Sequence, residues 1–441
     1  MSEIPLNSDP EVTDSPQVEA SVLSEPAISA IAPFRERSLL YRVFLALAVM
    51  VGGLSNVCIK QFLLPAQIGG LDPLHKATSL LIVASIGAVA GMFAAPITGA
   101  LSDRSIRRSG KRRPWIIAGI LVASGGMLTM AFSPTIGFIV IGEILAQVGV
   151  DTILAVTTAL IPDQVPARQQ WLVTALVGIA PNVGGVIGLL LVTNFTNVRI
   201  PWQGYLLMTI VSLACIGLFL LIVQEDQPRE QEELPPFHLG HFLIGFARPL
   251  AVADFRYTFL SRFLAYLAFT ILGNYTLYYL LDRLSLPLPV AAGRLTMFQL
   301  LSTAVLFLAS VLAGWLVQKR WGGRLKPVVI VGAGCMAVGL FLMAFFPFWN
   351  TLLVAAAIFG LGFGAYLGVD VALAMAALPT TTDSGKNLGL MYTAIFLALA
   401  ISPVAGAVFL DLLHSHLLLF SFAGVASLLA ALQILPIKSV Q

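Results

Sequence analysis

The chain has 441 residues, of which 58% are hydrophobic and only 11% are charged. A soluble globule cannot hide so large an apolar share, so the composition predicts a polytopic membrane protein and excludes a soluble enzyme. The net charge of +3 is unevenly distributed, because residues 1–34 hold six acidic residues and no basic one. The remaining basic excess lies largely in short loops, which is typical of a cytoplasmic membrane face and does not indicate nucleic-acid binding.

Residues 1–36 are rich in Pro, Ser and Glu and lack an apolar period, which predicts a disordered cytoplasmic tail. Twelve apolar segments of about 20 residues or more follow, enough to cross a bilayer twelve times. A polar, acidic linker at 225–256 divides them into six-helix bundles at 37–224 and 257–436, before a short tail at 437–441. The fold class is therefore an all-α membrane protein with two six-helix bundles. The predicted spans are 39–63, 78–101, 114–133, 135–160, 171–193, 203–223, 257–281, 294–317, 326–346, 349–378, 384–410 and 417–435.

The loop between spans 2 and 3 is strongly basic and fixes the expected orientation. Lys and Arg resist translocation, so a short loop this basic stays on the cytoplasmic side. Both termini are then cytoplasmic, and we expect a multi-pass protein of the inner or plasma membrane. The six basic residues of the loop are Arg104, Arg107, Arg108, Lys111, Arg112 and Arg113.

The two halves repeat each other in sequence. GVDTILAVTTALIP at 149–162 is echoed by GVDVALAMAALP at 368–379, and GALSDR at 99–104 more faintly by GWLVQKR at 314–320. The offsets between the paired motifs, 219 and 215 residues, are close to each other, as a duplicated half would produce. Two similar bundles around a central axis permit alternating access, in which the halves rock around a midplane site.

The basic loop also resembles that of the major facilitator superfamily, whose pattern there is G-x-L-a-D-R-x-G-R-[RK]. The spacing from Asp103 to Gly110 is longer here than in that pattern. It is similar to a variant found in sucrose transporters and in glycoside–pentoside–hexuronide cation symporters. The resemblance implies a secondary transporter in which this loop forms a conformational latch that bridges helix ends. The alternative is a solvated loop that only sets topology beside anionic lipid. The latch residues that the resemblance implies are Gly99, Asp103, Arg104, Gly110 and Arg113.

One position departs from the sugar–cation symporters. Melibiose-permease-like members place an Asp before a Pro near the end of span 2, as part of a sodium site. This chain has Ala95 before Pro96. An alanine cannot ligate a cation, so protons are favoured over sodium as the coupling ion.

Span 4 carries Glu143, Gln147 and Asp151 four residues apart, which places them on one helix face. Span 1 carries Asn56 and Lys60 at the same spacing. A charge at the centre of a span costs about 2.5–3.5 kcal/mol on insertion scales, so each one needs a partner, a cavity or a function. Lys60 and Glu143 fall at similar depths and can pair. Glu143 is the first candidate for a protonatable coupling residue, and a permanent ion pair with Lys60 is the alternative.

Span 7 presents Arg262, Tyr266, Asn274 and Tyr278 on one face, and span 10 carries Tyr366 and Asp370 four residues apart. Arg262 and Asp370 lie at similar depths and can pair. The resemblance implies that spans 1, 4, 7 and 10 line a central cavity. Asp151 and Asp370 are further coupling candidates, or else duplicated structural ties near an inner gate. The predicted substrate-binding residues are Asn56, Lys60, Gln147, Arg262, Tyr266, Asn274, Tyr278 and Tyr366.

Together these features predict a monomeric, proton-coupled symporter of a glycoside or small sugar. No nucleotide loop, hydrolase elbow or metal-ligand spacing is present in the sequence, so neither an enzyme nor a cofactor is expected. Two alternatives stay open. One is a proton-coupled exporter of a drug or metabolite, and the other is a non-transporting membrane assembly factor or sensor. A polar, aromatic cavity favours sugar, whereas a broad apolar cavity with one acid favours export.

Overall fold

The computed structural model describes residues 36–103, 105, 112–223, 251–319, 324–376 and 384–437. Within these ranges it has twelve helices long and apolar enough to cross a membrane, which confirms the predicted all-α fold. Most of the predicted linker and of the N-terminal tail lies outside the described residues. The helices are α1 Leu39–Leu71, α2 Lys76–Asp103, α3 Arg113–Ala131, α4 Ile136–Gln164, α5 Ala167–Phe195, α6 Pro201–Ile222, α7 Ala253–Asp282, α8 Leu288–Lys319, α9 Lys326–Phe345, α10 Trp349–Ala376, α11 Ser384–Gly406 with its continuation Ala407–Leu412, and α12 His416–Ile434.

Helix α1 runs eight residues beyond the predicted end of span 1. Its middle segment, Leu54–Leu63, is π-helical, and Pro65 lies two residues beyond its end. Proline normally breaks a helix because its ring clashes with the carbonyl four residues earlier, and a widened turn relieves that clash. The proline therefore does not end the helix, and the widened turn carries Asn56 and Lys60.

The two halves have the same internal packing. In the first half α3 packs on α4 and α6, α2 on α4, and α1 on α5 and α6. In the second half α9 packs on α10 and α12, α8 on α10, and α7 on α11 and α12. Adding six to each helix number of the first half reproduces the second. The structure thus supports the duplication that the sequence motifs indicated.

The halves meet through α2 with α11, α5 with α8, and α1 with α7. Successive helices alternate in direction, so the bundle has two distinct ends. We call the end with the start of α1 and the α2–α3 connection the basic end. The opposite end, with the α1–α2 and α7–α8 connections, is the far end.

Glycines set the distance between α3 and α4, and between α9 and α10. A Cβ atom built on Gly126 would lie 2.3 Å from a backbone nitrogen of α4, and one on Gly339 would lie 2.9 Å from a carbonyl oxygen of α10. Small residues at such crossings let membrane helices approach closely. The matching glycines of the two halves are Gly119 and Gly332, Gly126 and Gly339, and Gly149 and Gly362, each pair 213 residues apart.

This packing register differs from that of the GVD motif, whose copies are 219 residues apart. Asp370 is therefore not the structural counterpart of Asp151. At 1.5 Å per residue, the six-residue difference places Asp370 about 9 Å nearer the basic end. In this register the two acids do not occupy matching positions of the two halves.

The contact between α1 and α5 leads to a first prediction. A Cβ on Gly53 would lie 1.6 Å from the carbonyl oxygen of Pro181, and a backbone atom cannot move aside as a side chain can. We expect Gly53→Ala to cost at least the roughly 1–3 kcal/mol typical of overpacking, and to lower the thermal unfolding temperature in detergent. Gly217→Ala on α6 is the matched control, because nothing lies within 4 Å of its Cβ position. An unchanged Tm for Gly53→Ala would contradict the prediction.

Candidate functional site

A cavity of about 300 Å³ lies between the two halves near mid-depth. Residues of α1, α2, α4, α5, α7 and α11 line it. Polar groups converge there with aromatic rings, as in sites that orient a small molecule by a few hydrogen bonds. The polar lining residues are Asn56, Lys60, Gln61, Gln147, Asp151, Asn182, Thr270 and Asn274, and the aromatic ones are Tyr266, Phe269 and Phe396.

The cavity gathers six of the predicted site residues, namely Asn56, Lys60, Gln147, Asp151, Tyr266 and Asn274. Spans 1, 4 and 7 contribute to the lining, as the resemblance implied. No described residue of α10 lines the cavity. Residues of α2, α5 and α11, which were not expected there, line it instead. Asn182 and Phe396 were not predicted, because an isolated residue on an apolar helix has no periodic signal.

A chain of buried polar contacts runs along one wall of the cavity. The Lys60 ammonium lies 3.2 Å from Glu143 Oε1, and the Glu143 side chain is 1% exposed. Lys60 also donates a hydrogen bond to Gln147 Oε1, and Gln147 Nε2 donates to Asp151 Oδ2 at 2.7 Å. The predicted Lys60–Glu143 ion pair is confirmed. Two carboxylates and one ammonium leave this cluster with a net charge of −1 when all three are ionised.

Helix α2 packs against Glu143 and Asp151 through two glycine residues. A Cβ on Gly87 would lie 2.7 Å from Glu143 Cγ, and a Cβ on Gly91 would lie 2.2 Å from Asp151 Oδ2. The two glycines are one helical turn apart and admit the two acids against the α2 backbone. This contact was not predicted, since the glycines fall in an otherwise ordinary apolar run.

A second buried ion pair lies nearer the basic end. Arg262 Nη2 is 2.7 Å from Asp370 Oδ2, with side chains 4% and 5% exposed. The predicted pairing of α7 with α10 is confirmed. Tyr366 is fully buried one turn away, so the α10 stripe belongs to the interior of the second half and does not reach the cavity.

The two halves are fastened together toward the far end. Tyr278 donates to the Pro65 carbonyl at 3.1 Å, Ser85 to the Ala400 carbonyl at 2.7 Å, and Gln299 to Gln61. These contacts between the halves lie from the cavity to the far end. Tyr278 was predicted to bind substrate and instead occupies this closure.

The outermost contacts of the closure are charged. Lys76 on α2 lies 2.6 Å from Asp282 on α7, which also meets His416 at 3.2 Å. Asp411 on α11 accepts hydrogen bonds from the Thr78 backbone nitrogen at 2.6 Å and its hydroxyl at 2.7 Å. Asp411 thereby caps the start of α2, where a negative charge is favourable.

This cap leads to a second prediction. Hydrogen bonds to a charged group contribute about 1.5–3 kcal/mol, so Asp411→Ala should shift the equilibrium toward far-end opening by about tenfold or more. We expect faster maleimide labelling from the far end at Ala84→Cys, in a background without the native cysteines. Asp72→Ala is the matched control, since Asp72 contacts Ser79 and His75 of its own half. Equal labelling rates in both backgrounds would count against the closing role of Asp411.

The predicted latch is only partly described. Arg104, Gly110 and the side chain of Asp103 lie outside the described residues. Gly99 has open space at its Cβ position, and Arg113 donates to the Leu220 carbonyl of α6 at 2.5 Å.

Arg112, which was not among the predicted latch residues, is 3% exposed and bridges three helices. It donates to Ser102 at the end of α2 and forms an ion pair with Asp163 of α4 at 2.7 Å. These contacts of Arg112 tie helix ends of the first half together.

Two six-helix repeats around a polar cavity, closed at one end, define a multi-pass membrane transporter. The family model of the Major Facilitator Superfamily matches residues 45–324 and 258–439, and the chain belongs to this superfamily.

Known proteins and solved structures agree with this assignment. The general alpha-glucoside permease of Schizosaccharomyces pombe is 29% identical over 198 residues, which are 40% of this chain and 35% of the permease. The match thus spans about a third of that relative's length. The D-xylose-proton symporter structure has a TM-score of 0.71 at 17% identity, covering 91% of this chain and 98% of that one. A peptide transporter POT mutant scores 0.72 at 13% identity, covering 92% and 98%. Both structural likenesses show the fold alone.

Proposed function

We propose that this protein is a proton-coupled symporter of a glycoside or small sugar that works by alternating access. The main support for the proposal is the composition of one cavity wall. There, amide side chains that can bind a sugar lie next to the buried chain of contacts that includes Glu143, Lys60 and Asp151. The alpha-glucoside permease supports the substrate class, and the D-xylose-proton symporter shows that the fold accommodates such coupling.

The cavity has the chemistry that a sugar requires. Amides both donate and accept hydrogen bonds, which matches the mixed character of sugar hydroxyls. Asn56, Gln147 and Asn274 supply amides from both halves, and the Tyr266 ring offers a face for stacking. A ligand held by both halves links binding to their relative movement.

The proton is proposed to bind at Glu143. The cluster of Glu143, Lys60 and Asp151 has a net charge of −1, and one proton makes it neutral. Protonation of Glu143 removes the charged partner of Lys60 and leaves Lys60 its hydrogen bond to Gln147 on the cavity wall. Proton binding therefore alters the group that meets the substrate. Asp151 is the second candidate carrier, since it joins the same hydrogen-bonded chain.

The membrane orientation is part of the proposal. The basic end faces the cytoplasm of a cell or plasma membrane, because that end carries the basic connections. Both termini are then cytoplasmic, the far end is extracellular, and the conformation described is closed to the outside. The Lys76–Asp282 and Asp411–Thr78 contacts must break before substrate enters from outside. The protein is proposed to act as a monomer in the bilayer.

The test is uptake of labelled maltose and sucrose into proteoliposomes, with and without an inward proton gradient. Gradient-driven accumulation of either sugar supports the proposal. Accumulation only under the reversed gradient would favour an exporter. No flux of a panel of sugars or lipophilic cations, in protein shown to be folded, would favour a non-transporting role.

A further inference from the structure

The cluster at the cavity wall has the donor set of a cation site. Glu143 Oε1, Gln147 Oε1 and Asp151 Oδ2 all come from one face of α4. Carboxylate and amide oxygens are the ligands that hard cations take in proteins. The ammonium group of Lys60 from α1 contacts the first two of these oxygens, and Gln147 Nε2 donates to the third.

Two further observations indicate that this is more than an acidic patch. The Glu143 side chain is 1% exposed, and its Oε1 atom accepts no hydrogen bond within the described residues. Its partner is the Lys60 ammonium group, which forms an ion pair with it at 3.2 Å. The glycine backbone of α2 at Gly87 and Gly91 brings no competing side chain against the acids.

We propose that Lys60 is a built-in cation that fills a metal-ion site, and that removing its side chain lets a monovalent ion such as sodium bind there. The charge balance specifies a monovalent ion, because one positive charge restores the −1 of the native cluster. A buried charge that loses its partner is costly, which supplies the drive for an external cation to enter.

A site of this kind goes beyond the proposed transport activity and does not depend on it. In this conformation the Lys60 ammonium group takes the place beside Glu143 and Gln147 that a sodium ion would otherwise fill. Such a site also assigns to Lys60 a role in ion selectivity, besides its contact with the cavity.

The experiment is thermal unfolding of the full chain in detergent, with sodium chloride replaced by choline chloride at constant ionic strength. Lys60→Ala should gain a sodium-dependent rise in Tm of roughly 2 °C or more, whereas the native protein should show the same Tm in both salts. Lys60→Ala/Glu143→Gln should lose the rise, because one carboxylate ligand is gone. Lys60→Met keeps the apolar stem volume and serves if Lys60→Ala does not fold.

Lys76→Ala is the matched control, since it removes an ammonium from the far-end pair with Asp282, outside the cluster. An equal sodium effect in this control would mean a general salt response and overturn the proposal. So would a Lys60→Ala protein whose Tm responds to pH and not to sodium, because protons would then have replaced the lysine. A sodium-dependent Tm in the native protein would also overturn it. None of these readouts requires a transported substrate.

Discussion

Glu143→Gln is expected to abolish proton-driven accumulation while leaving solute exchange across the membrane intact. Glutamine has the shape of the protonated acid but cannot bind or release a proton. A gradient of one pH unit can sustain about a tenfold accumulation when one proton moves per substrate, since each factor of ten corresponds to about 1.4 kcal/mol. The variant should therefore only equilibrate labelled sugar, with equal concentrations inside and outside. The measurements are gradient-driven uptake and counterflow in the same proteoliposomes.

Glu143→Asp is the matched variant, because it keeps a titratable carboxyl group one methylene shorter. We expect it to retain accumulation at a lower rate. Accumulation by Glu143→Gln equal to that of the native protein would remove Glu143 from the coupling role and leave Asp151 as the candidate. Loss of both accumulation and counterflow would show that Glu143 is needed for the structure, as a permanent ion pair with Lys60 requires.

Arg262→Met is expected to destabilise the protein strongly. It leaves Asp370 buried without the guanidinium that lies 2.7 Å away, and breaking such a pair typically costs about 3–5 kcal/mol. We expect little folded protein by size-exclusion chromatography in detergent. Replacing both partners removes the unpaired charge, so Arg262→Met/Asp370→Leu should recover folded protein.

Arg256→Met on the same helix is the matched control, because Arg256 is exposed and its guanidinium lies over the ring of the neighbouring Tyr257. It should behave like the native protein. A stable Arg262→Met single variant would show that Asp370 is neutral or finds another partner. A double variant that folds but does not transport would assign the pair a role in the transport cycle.

Features that depend on the sequence period were predicted well. Apolar length gives the twelve spans, and the four-residue spacing places Glu143 with Asp151 on one face. Counting residues from the span ends gives the depth of each charged group. It places Lys60 of span 1 level with Glu143 of span 4, and Arg262 of span 7 level with Asp370 of span 10. These inferences need only the regular rise and twist of a helix.

Features that depend on how a helix is rotated against its neighbours were not predicted. The four-residue spacing of Tyr366 and Asp370 places them on one face of α10. It does not tell whether that face is turned toward the cavity or toward the interior of the second half. The packing of Glu143 and Asp151 against Gly87 and Gly91 depends on the distance between the axes of α2 and α4. The widened turn of α1 shifts every later residue of that helix around its axis, and a span length read from hydropathy does not detect it.

The contacts that join the two halves near the far end are made by residues other than those that line the cavity. Opening of the far end and choice of substrate therefore depend on different residues. Asp411 pairs with Thr78 and Lys76 pairs with Asp282 in the closed arrangement, and all four residues lie outside the cavity lining. We expect changes at these positions to alter the rate at which the far end opens and to leave the cavity lining unchanged. A nanobody raised against this rim would hold the protein in one state without competing with its cargo.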